Sequence, residues 1–108
     1  MNKGILITES ELRTKISTGE RVVVDFFATW CGPCARFSPI FEEFAKGLTE
    51  GENETSAFKL DVDEGPALCE ELGVSSVPTV IIFEKSRAQK KHIGAFASVN
   101  ELKKWINE

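Results

Sequence analysis

The sequence contains few cysteines, no long apolar run and no excess of positive charge. Its 108 residues include three cysteines, a number too small and odd for a secreted fold built on disulfides. No apolar stretch approaches the roughly 18 residues of a membrane-spanning helix, and residues 1–9 lack the apolar segment of a signal peptide. The 13 basic and 17 acidic residues form no basic stripe of the kind that binds phosphates. We therefore expect a cytoplasmic protein that binds neither nucleic acid nor a membrane.

The length and composition fit one small domain. Domains commonly have roughly 100–150 residues, and the 42% hydrophobic content of this chain is enough to fill a core without disulfides. We expect a single domain over residues 1–108 that is a monomer. A chain of this size has no room for a separate cofactor-binding domain.

Short apolar runs alternate with helical patterns along the chain. Strands are predicted at residues 4–7, 22–27, 57–62, 80–83 and 90–93. Two helices are predicted to begin at capping boxes, after Thr8 and after Ser98. A short helix is predicted from Pro66, and the longest helix, with an apolar stripe over residues 37–48, is predicted to end at Gly51.

The order of these elements indicates an α/β fold with a central mixed five-stranded sheet flanked by four helices. The runs at 22–27 and 80–83 are almost wholly apolar, which is typical of strands buried on both faces of a sheet. The last two strands are expected to form a hairpin. Residues 84–91 between them lack the Asn and Gly that are usual in tight hairpin turns.

Two cysteines flank a Gly-Pro pair where a buried strand gives way to the longest helix. Side chains three residues apart on a helix have Cβ atoms about 5–6 Å apart, so a small adjustment allows Cys31 and Cys34 to form a disulfide. A helix N-terminus favours a thiolate by about 0.3–1 kcal/mol, while a pKa near neutrality requires roughly 2 kcal/mol. We therefore expect further hydrogen bonds to the Cys31 sulfur from the side of Cys34. Cys31 is predicted to be the exposed nucleophile and Cys34 the shielded resolving thiol.

A structural zinc site is the alternative interpretation of these cysteines. Its ligands would be Cys31, Cys34, Cys69 and His92. A proline inside the pair and a long apolar helix beyond it favour a helix start over a zinc site. Cys69 shares a helical face with leucines and is predicted to lie in the core, and His92 is predicted to be solvated. We therefore predict no metal.

Residues 26–34, with the sequence FFATWCGPC, resemble the active-site signature of the thioredoxin family. The similarity extends over residues 8–106. Its further anchors are Asp25, Pro39, Lys59, Val77, Pro78, Gly94 and Ala95. The Gly-Pro pair matches this family better than related oxidants and glutaredoxins.

The resemblance assigns roles to these residues. Asp25 interrupts an apolar strand, so burial should raise its pKa, and the family role is to accept the proton of Cys34 while Lys59 moderates its charge. The alternative for Asp25 is a position at a wet strand edge. The resemblance also implies a cis peptide bond at Pro78 and a flat substrate-binding surface. That surface would comprise Trp30, Gly32, Pro33, Val77, Pro78, Gly94 and Ala95.

The activity that the resemblance implies is that of a protein-disulfide reductase. Its redox-active Cys31–Cys34 disulfide would replace a bound cofactor, and an NADPH-dependent thioredoxin reductase would reduce it again. Clients would be disulfide-containing proteins, with peroxiredoxins and reductases among them. Two alternatives remain at this point: an oxidase or isomerase of an oxidising compartment, and a scaffold in which the thiols are incidental.

Overall fold

The computed structural model describes residues 5–48 and 55–108. Four α-helices are α1 (Glu9–Ser17), α2 (Gly32–Leu48), α3 (Pro66–Leu72) and α4 (Val99–Ile106). Four strands are β1 (Arg21–Phe27), β2 (Thr55–Asp61), β3 (Thr79–Glu84) and β4 (Arg87–Ile93). A 3-10 turn, Val62–Glu64, follows β2. Within these two segments, no helix is long and apolar enough to cross a membrane.

The strands form a mixed sheet in the order β2-β1-β3-β4. β1 runs parallel to β2 and antiparallel to β3, and β3 and β4 form the predicted hairpin. The helix α2 makes the connection between the two parallel strands, as such a connection requires. The α/β class, the mixed sheet and the four flanking helices are thereby confirmed.

The prediction of a fifth strand at residues 4–7 is wrong for the part of the chain that the structure describes. Leu6 makes only an isolated parallel bridge to Lys59, and the amide of Ile7 donates to the Lys59 carbonyl at 3.0 Å. Ile5 lies in a 3-10 turn and Thr8 already caps α1, so two residues are left for pairing. Gly4 lies outside the described residues.

The helix ends follow the capping signals in the sequence. Thr8 and Glu11 form the complete capping box that was predicted, with each side chain bonded to the other's amide. Ser98 caps α4 by accepting from the amide of Glu101 at 3.1 Å. α3 ends at Gly73, whose φ of 72° is in the left-handed region. The predicted end of α2 at Gly51 lies outside the described residues.

The sheet separates the two larger clusters of the core. One contains Val23 of β1 together with apolar residues of α2 and α4, and the other contains Val22, Val24 and Phe26 of β1 with residues of α1 and α3. β1 is therefore buried on both faces, as predicted, because α2 and α4 cover one face and α1 and α3 cover the other. Since side chains alternate along a strand, Asp25 lies on the same face as Val23, beneath α2.

The β3–β4 turn is formed by two residues that rarely adopt its conformation. Lys85 and Ser86 have φ values of 57° and 67°, in the left-handed region usually occupied by Asn and Gly. The Lys85 amide donates to the carbonyl of Gly19 at 3.0 Å, and this contact holds the turn against the loop before β1. β4 therefore begins at Arg87, earlier than residue 90 where the sequence predicted it.

Candidate active site

The two motif cysteines lie at the N-terminus of α2. Cys31 immediately precedes the helix and Cys34 lies in its first turn. They form a disulfide with their Cα atoms 5.2 Å apart, so the predicted pairing at a helix start is confirmed. The site can therefore alternate between dithiol and disulfide with little movement of the backbone.

The sulfur of Cys31 is placed among polar backbone groups. The Cys34 amide donates to Cys31 Sγ at 3.1 Å, which confirms the hydrogen bond expected from that side. The carbonyl oxygen of Val77 lies 3.7 Å from the same sulfur. An amide in the first turn of a 17-residue helix has no partner within the helix and stabilises negative charge on an atom that accepts from it.

Both cysteines are largely covered in the disulfide form. Cys31 is 8% exposed and Cys34 is 4% exposed. The prediction of an exposed Cys31 is therefore wrong in this form, although Cys31 is the more accessible of the two. The reason is packing, because Phe27 and Val77 lie against the cysteines.

Asp25 is fully buried and unpaired in the interior of the sheet. Its exposed fraction is 0%, and neither carboxylate oxygen has a hydrogen-bond partner within the described segments. β1 lies between β2 and β3, so the alternative of a wet strand edge is wrong. Burial raises the pKa of Asp25 from 3.8 to about 7, while the charge of Lys59 lowers it and that of Glu42 raises it.

Lys59 lies beside Asp25 in the sheet but binds other groups. The two residues are partners in the β1–β2 register. The Lys59 ammonium donates to the hydroxyl of Ser38 and, at 3.1 Å, to a carboxylate oxygen of Glu42. It also lies 4.8 Å from the centre of the Phe27 ring. Its influence on Asp25 is therefore that of a nearby charge already paired with another carboxylate.

Sequence reasoning missed Ser38 and Glu42. Both lie on α2, where Cys34, Ser38 and Glu42 follow one another at four-residue intervals and so share one side of the helix. The Ser38 hydroxyl donates to Glu42 at 3.0 Å. This polar line beside the apolar stripe was the signal available in the sequence. The line could be interpreted only once the structure showed that Lys59 of β2 binds to it.

Three separated stretches of chain form one face around the disulfide. Trp30 is 70% exposed, and its indole N–H donates to Asp63 at 2.9 Å, so it is tethered without being buried. Gly32, Pro33 and Ala95 are exposed. The Val77-Pro78 peptide bond is cis, and the Pro78 carbonyl accepts from the amide of Gly94 at 2.8 Å.

Two features of this face were not apparent from the sequence. Ile93 is 64% exposed at the end of β4, next to Gly94, although the sequence analysis treated it only as a strand residue. Gly94 has a φ of 110°, and apart from its chain neighbours no atom of the described residues lies within 4 Å of the position that a Cβ would occupy. Another backbone therefore has room to approach at Gly94, beside an apolar side chain.

The alternative zinc ligands do not come together. Cys69 is 6% exposed in the core cluster on the α1 and α3 face, as predicted, and Cys31 and Cys34 bind each other. His92 is half-buried and stacks on Phe96, with ring centres 4.0 Å apart, so the prediction of a solvated histidine is wrong. Residues 5–48 and 55–108 contain no cluster of His, Cys, Asp and Glu that could hold a metal ion.

The chain is similar to known thioredoxins along nearly its whole length. A family model described as Thioredoxin matches residues 4–108. The thioredoxin of Mycoplasmoides gallisepticum is 40% identical over 101 residues, which cover 94% of this chain and 96% of that protein. A bifunctional thioredoxin reductase/thioredoxin of Mycobacterium leprae is 42% identical over 80 residues, covering 74% of this chain and 17% of its own. A solved structure of thioredoxin from Plasmodium falciparum matches with a TM-score of 0.81 and 35% identity, covering 94% and 95% of the two chains.

Proposed function

This chain belongs to the thioredoxin family and is a protein-disulfide reductase, and on that basis we propose how its residues divide the reaction. Cys31 attacks the client disulfide, Cys34 resolves the intermediate, and Asp25 accepts the Cys34 proton. The observation that carries the proposal is the position of Cys31 at the start of α2, with the Cys34 amide directed at its sulfur. Cys34 lies deeper, and no amide of the described residues donates to its sulfur as the Cys34 amide does to that of Cys31.

The first step joins the two proteins covalently. The Cys31 thiolate attacks one sulfur of the client disulfide, so that a Cys31–client bond forms and the client S–S bond breaks. The other client sulfur leaves as a thiolate and takes a proton from water. Before the attack, the helix N-terminus stabilises the Cys31 thiolate and so keeps its population high. During the attack, the negative charge moves from Cys31 to the leaving client sulfur.

The second step releases the client. Cys34 must lose its proton to attack the Cys31 sulfur, after which the Cys31–Cys34 bond forms and the second client thiolate leaves. The client gains two electrons, and this chain is left as the disulfide. Asp25 lies on the sheet face beneath α2, the helix that carries Cys34, and a pKa of about 7 makes it a suitable base at neutral pH.

The oxidised chain needs an electron donor to act again. We propose an NADPH-dependent thioredoxin reductase as that partner, because the relative from Mycobacterium leprae is named as a reductase and a thioredoxin in one chain. The clients are proposed to be cytoplasmic proteins with disulfides, such as peroxiredoxins and reductases. A monomer suffices, because every residue of the proposed reaction comes from one chain.

The face around the disulfide is proposed to bind the client segment that carries the target disulfide. Trp30 and Ile93 are exposed apolar side chains next in sequence to Cys31 and to Gly94, respectively. The open space at Gly94 allows a client backbone to lie close, as an added strand does. A surface that contacts backbone and offers general apolar contact accepts many client sequences.

Replacing Ile93 with serine is expected to raise the KM for a protein disulfide about tenfold, because docking no longer buries its side chain. The kcat should change little, since Ile93 does not touch the reacting sulfurs. The rate with a small aromatic disulfide should also be unchanged. Leu6→Ser is the matched control, because Leu6 is 56% exposed at the opposite sheet edge. Equal KM values for the two variants would contradict a docking role for Ile93.

Replacing Asp25 with asparagine is expected to slow the release step about 100-fold at pH 8, because the base is lost. The step is measured by preparing the Cys31 mixed disulfide with a coloured aromatic thiol and following release of that thiol. In the unchanged protein the rate should rise with pH through about pH 7, where Asp25 becomes ionised. The variant should lack this rise. Glu64→Gln, at an exposed carboxylate, should keep it; an unchanged profile in the Asp25 variant would refute the assignment.

A further inference from the structure

A lysine and an aspartate are neighbours in the sheet without forming an ion pair. Asp25 and Lys59 are register partners on adjacent parallel strands, and both point toward α2. A buried carboxylate and a buried ammonium so placed would ordinarily pair, because each offsets the desolvation cost of the other. Both Asp25 oxygens nevertheless lack a partner within the described segments.

The ammonium group of Lys59 is held by two residues of α2 instead. Glu42 accepts from it at 3.1 Å, and the Ser38 hydroxyl accepts from it while donating to Glu42 at 3.0 Å. The Lys59 side chain is 11% exposed and that of Glu42 is 31% exposed. Each of the three groups is therefore hydrogen-bonded to the other two in a partly buried network. The carboxylate of Glu42, the more exposed of the two charged side chains, neutralises the lysine charge.

We propose that Glu42 and Ser38 are positioning residues that hold the Lys59 ammonium away from Asp25 and so keep Asp25 a competent base. This inference rests on the proposed role of Asp25 as the acceptor of the Cys34 proton. It goes beyond that role because it makes two residues of α2 responsible for the pH at which Asp25 is protonated.

The physical consequence follows from the strength of a direct pair. An opposite charge within about 4–6 Å lowers the pKa of a carboxyl group by about 1–3 units. Paired with Lys59, Asp25 would be ionised well below neutral pH and would hold a proton from Cys34 poorly. Glu42 prevents this by occupying the ammonium, and its own negative charge acts in the same direction.

Among the described residues, Lys59 and Glu42 are the charged groups that act on Asp25 from the elements packed against it. β2 contributes Lys59 and α2 contributes Glu42, while the β3 residue in register with Asp25 is the apolar Val80. The two cysteines carry no charge in the disulfide form. Glu42 and Lys59 also line a cleft of about 650 Å³, so the outer end of the network faces solvent.

The direct test is the titration of the Asp25 carboxyl carbon in the oxidised protein, followed by carbon-13 NMR. Glu42→Gln is expected to lower the Asp25 midpoint by about one pH unit. Ser38→Ala is expected to lower it by less, because Glu42 still binds the lysine. Glu43→Gln is the matched control, since Glu43 is the next residue on α2 and is exposed. It should leave the midpoint unchanged.

A second pair of variants separates positioning from simple charge repulsion. In a Lys59→Met background, the effect of Glu42→Gln on the Asp25 midpoint should shrink by at least half, because the cation that Glu42 restrains is gone. An effect of full size would mean that Glu42 acts on Asp25 only through its own charge, and would overturn the proposal. So would an unchanged midpoint in Glu42→Gln. Because the titration uses the oxidised protein, its outcome does not depend on whether Asp25 serves as the base.

Discussion

Replacing Cys34 with serine is expected to leave client proteins covalently attached to this chain through Cys31. The first attack needs only the Cys31 thiolate, so the mixed disulfide still forms. Release needs a second thiolate next to it, and a serine hydroxyl cannot perform that attack on sulfur. Turnover should therefore fall on the order of 10³-fold, since an intramolecular step is replaced by attack from a thiol in solution.

The adducts can be measured by mass spectrometry after incubation with a disulfide-containing protein and blocking of free thiols. The peptide carrying Cys31 should be joined to the client, and dithiothreitol should release it. Cys34→Ser combined with Cys31→Ser should form no adduct. Cys69→Ser combined with Cys34→Ser should still form it, because Cys69 is buried in the other core cluster. Adducts on Cys69, or normal turnover by the Cys34 variant, would contradict the division of roles.

Replacing Asp25 with asparagine is expected to stabilise the fold by about 4 kcal/mol at pH 8. The folded protein holds the Asp25 proton until about pH 7, whereas the unfolded chain loses it near 3.8. Burial of the ionised carboxylate therefore costs free energy at high pH, at 1.36 kcal/mol per pH unit of difference. The asparagine side chain has nearly the same size and carries no charge at any pH.

The sign of the pH dependence separates this effect from ordinary packing changes. Below about pH 3.8 both states of the original protein bind the proton, so the carboxylate costs nothing and the advantage of the variant should vanish. Between that pH and about 7 the free energy of unfolding of the original protein should fall relative to the variant. Above about 7 the difference should be constant.

The measurement is denaturant unfolding of the oxidised proteins at pH 4 and pH 8. Glu64→Gln serves as the control because its carboxylate is exposed, and it should show little difference at either pH. An Asp25 variant that differs from the original protein by the same amount at both pH values would show that the buried charge is not the cause. Stability and activity should thus change in opposite directions at this position.

Most of the architecture could be predicted from local patterns. The capping box at Thr8, the proline at the start of α3 and the apolar runs of β1 and β3 each carry their information within a few residues. The error in predicting a fifth strand at residues 4–7 could not be avoided in this way. Whether residues 4–7 form a ladder depends on how much chain remains between a turn at Ile5 and the cap of α1, and the apolar pattern of those residues does not reveal that limit.

For a similar reason, some residues of the site could be predicted from the sequence and others could not. Cys31 and Cys34 are only three residues apart in the sequence, and their pairing follows from helix geometry. Trp30 was expected on the substrate-binding surface from the resemblance, whereas only the fold shows that Ile93, far away in the chain, is exposed beside Gly94. His92 was misjudged because its strand neighbours are charged, whereas its ring stacks on Phe96 from a later loop.

The redox pair, the helix that begins at it and an aspartate in an apolar strand could be recognised from the sequence alone. These features depend on spacing along one segment, where local geometry leaves few alternatives. That Asp25 has no ion-pair partner among the described residues became evident only from the folded chain, because it depends on which groups accept hydrogen bonds from Lys59. Strand register places the two residues side by side, and packing of α2 across the sheet supplies Ser38 and Glu42 as competitors. Which of these groups Lys59 binds depends on how β1, β2 and α2 pack together. No single segment of the chain contains that information.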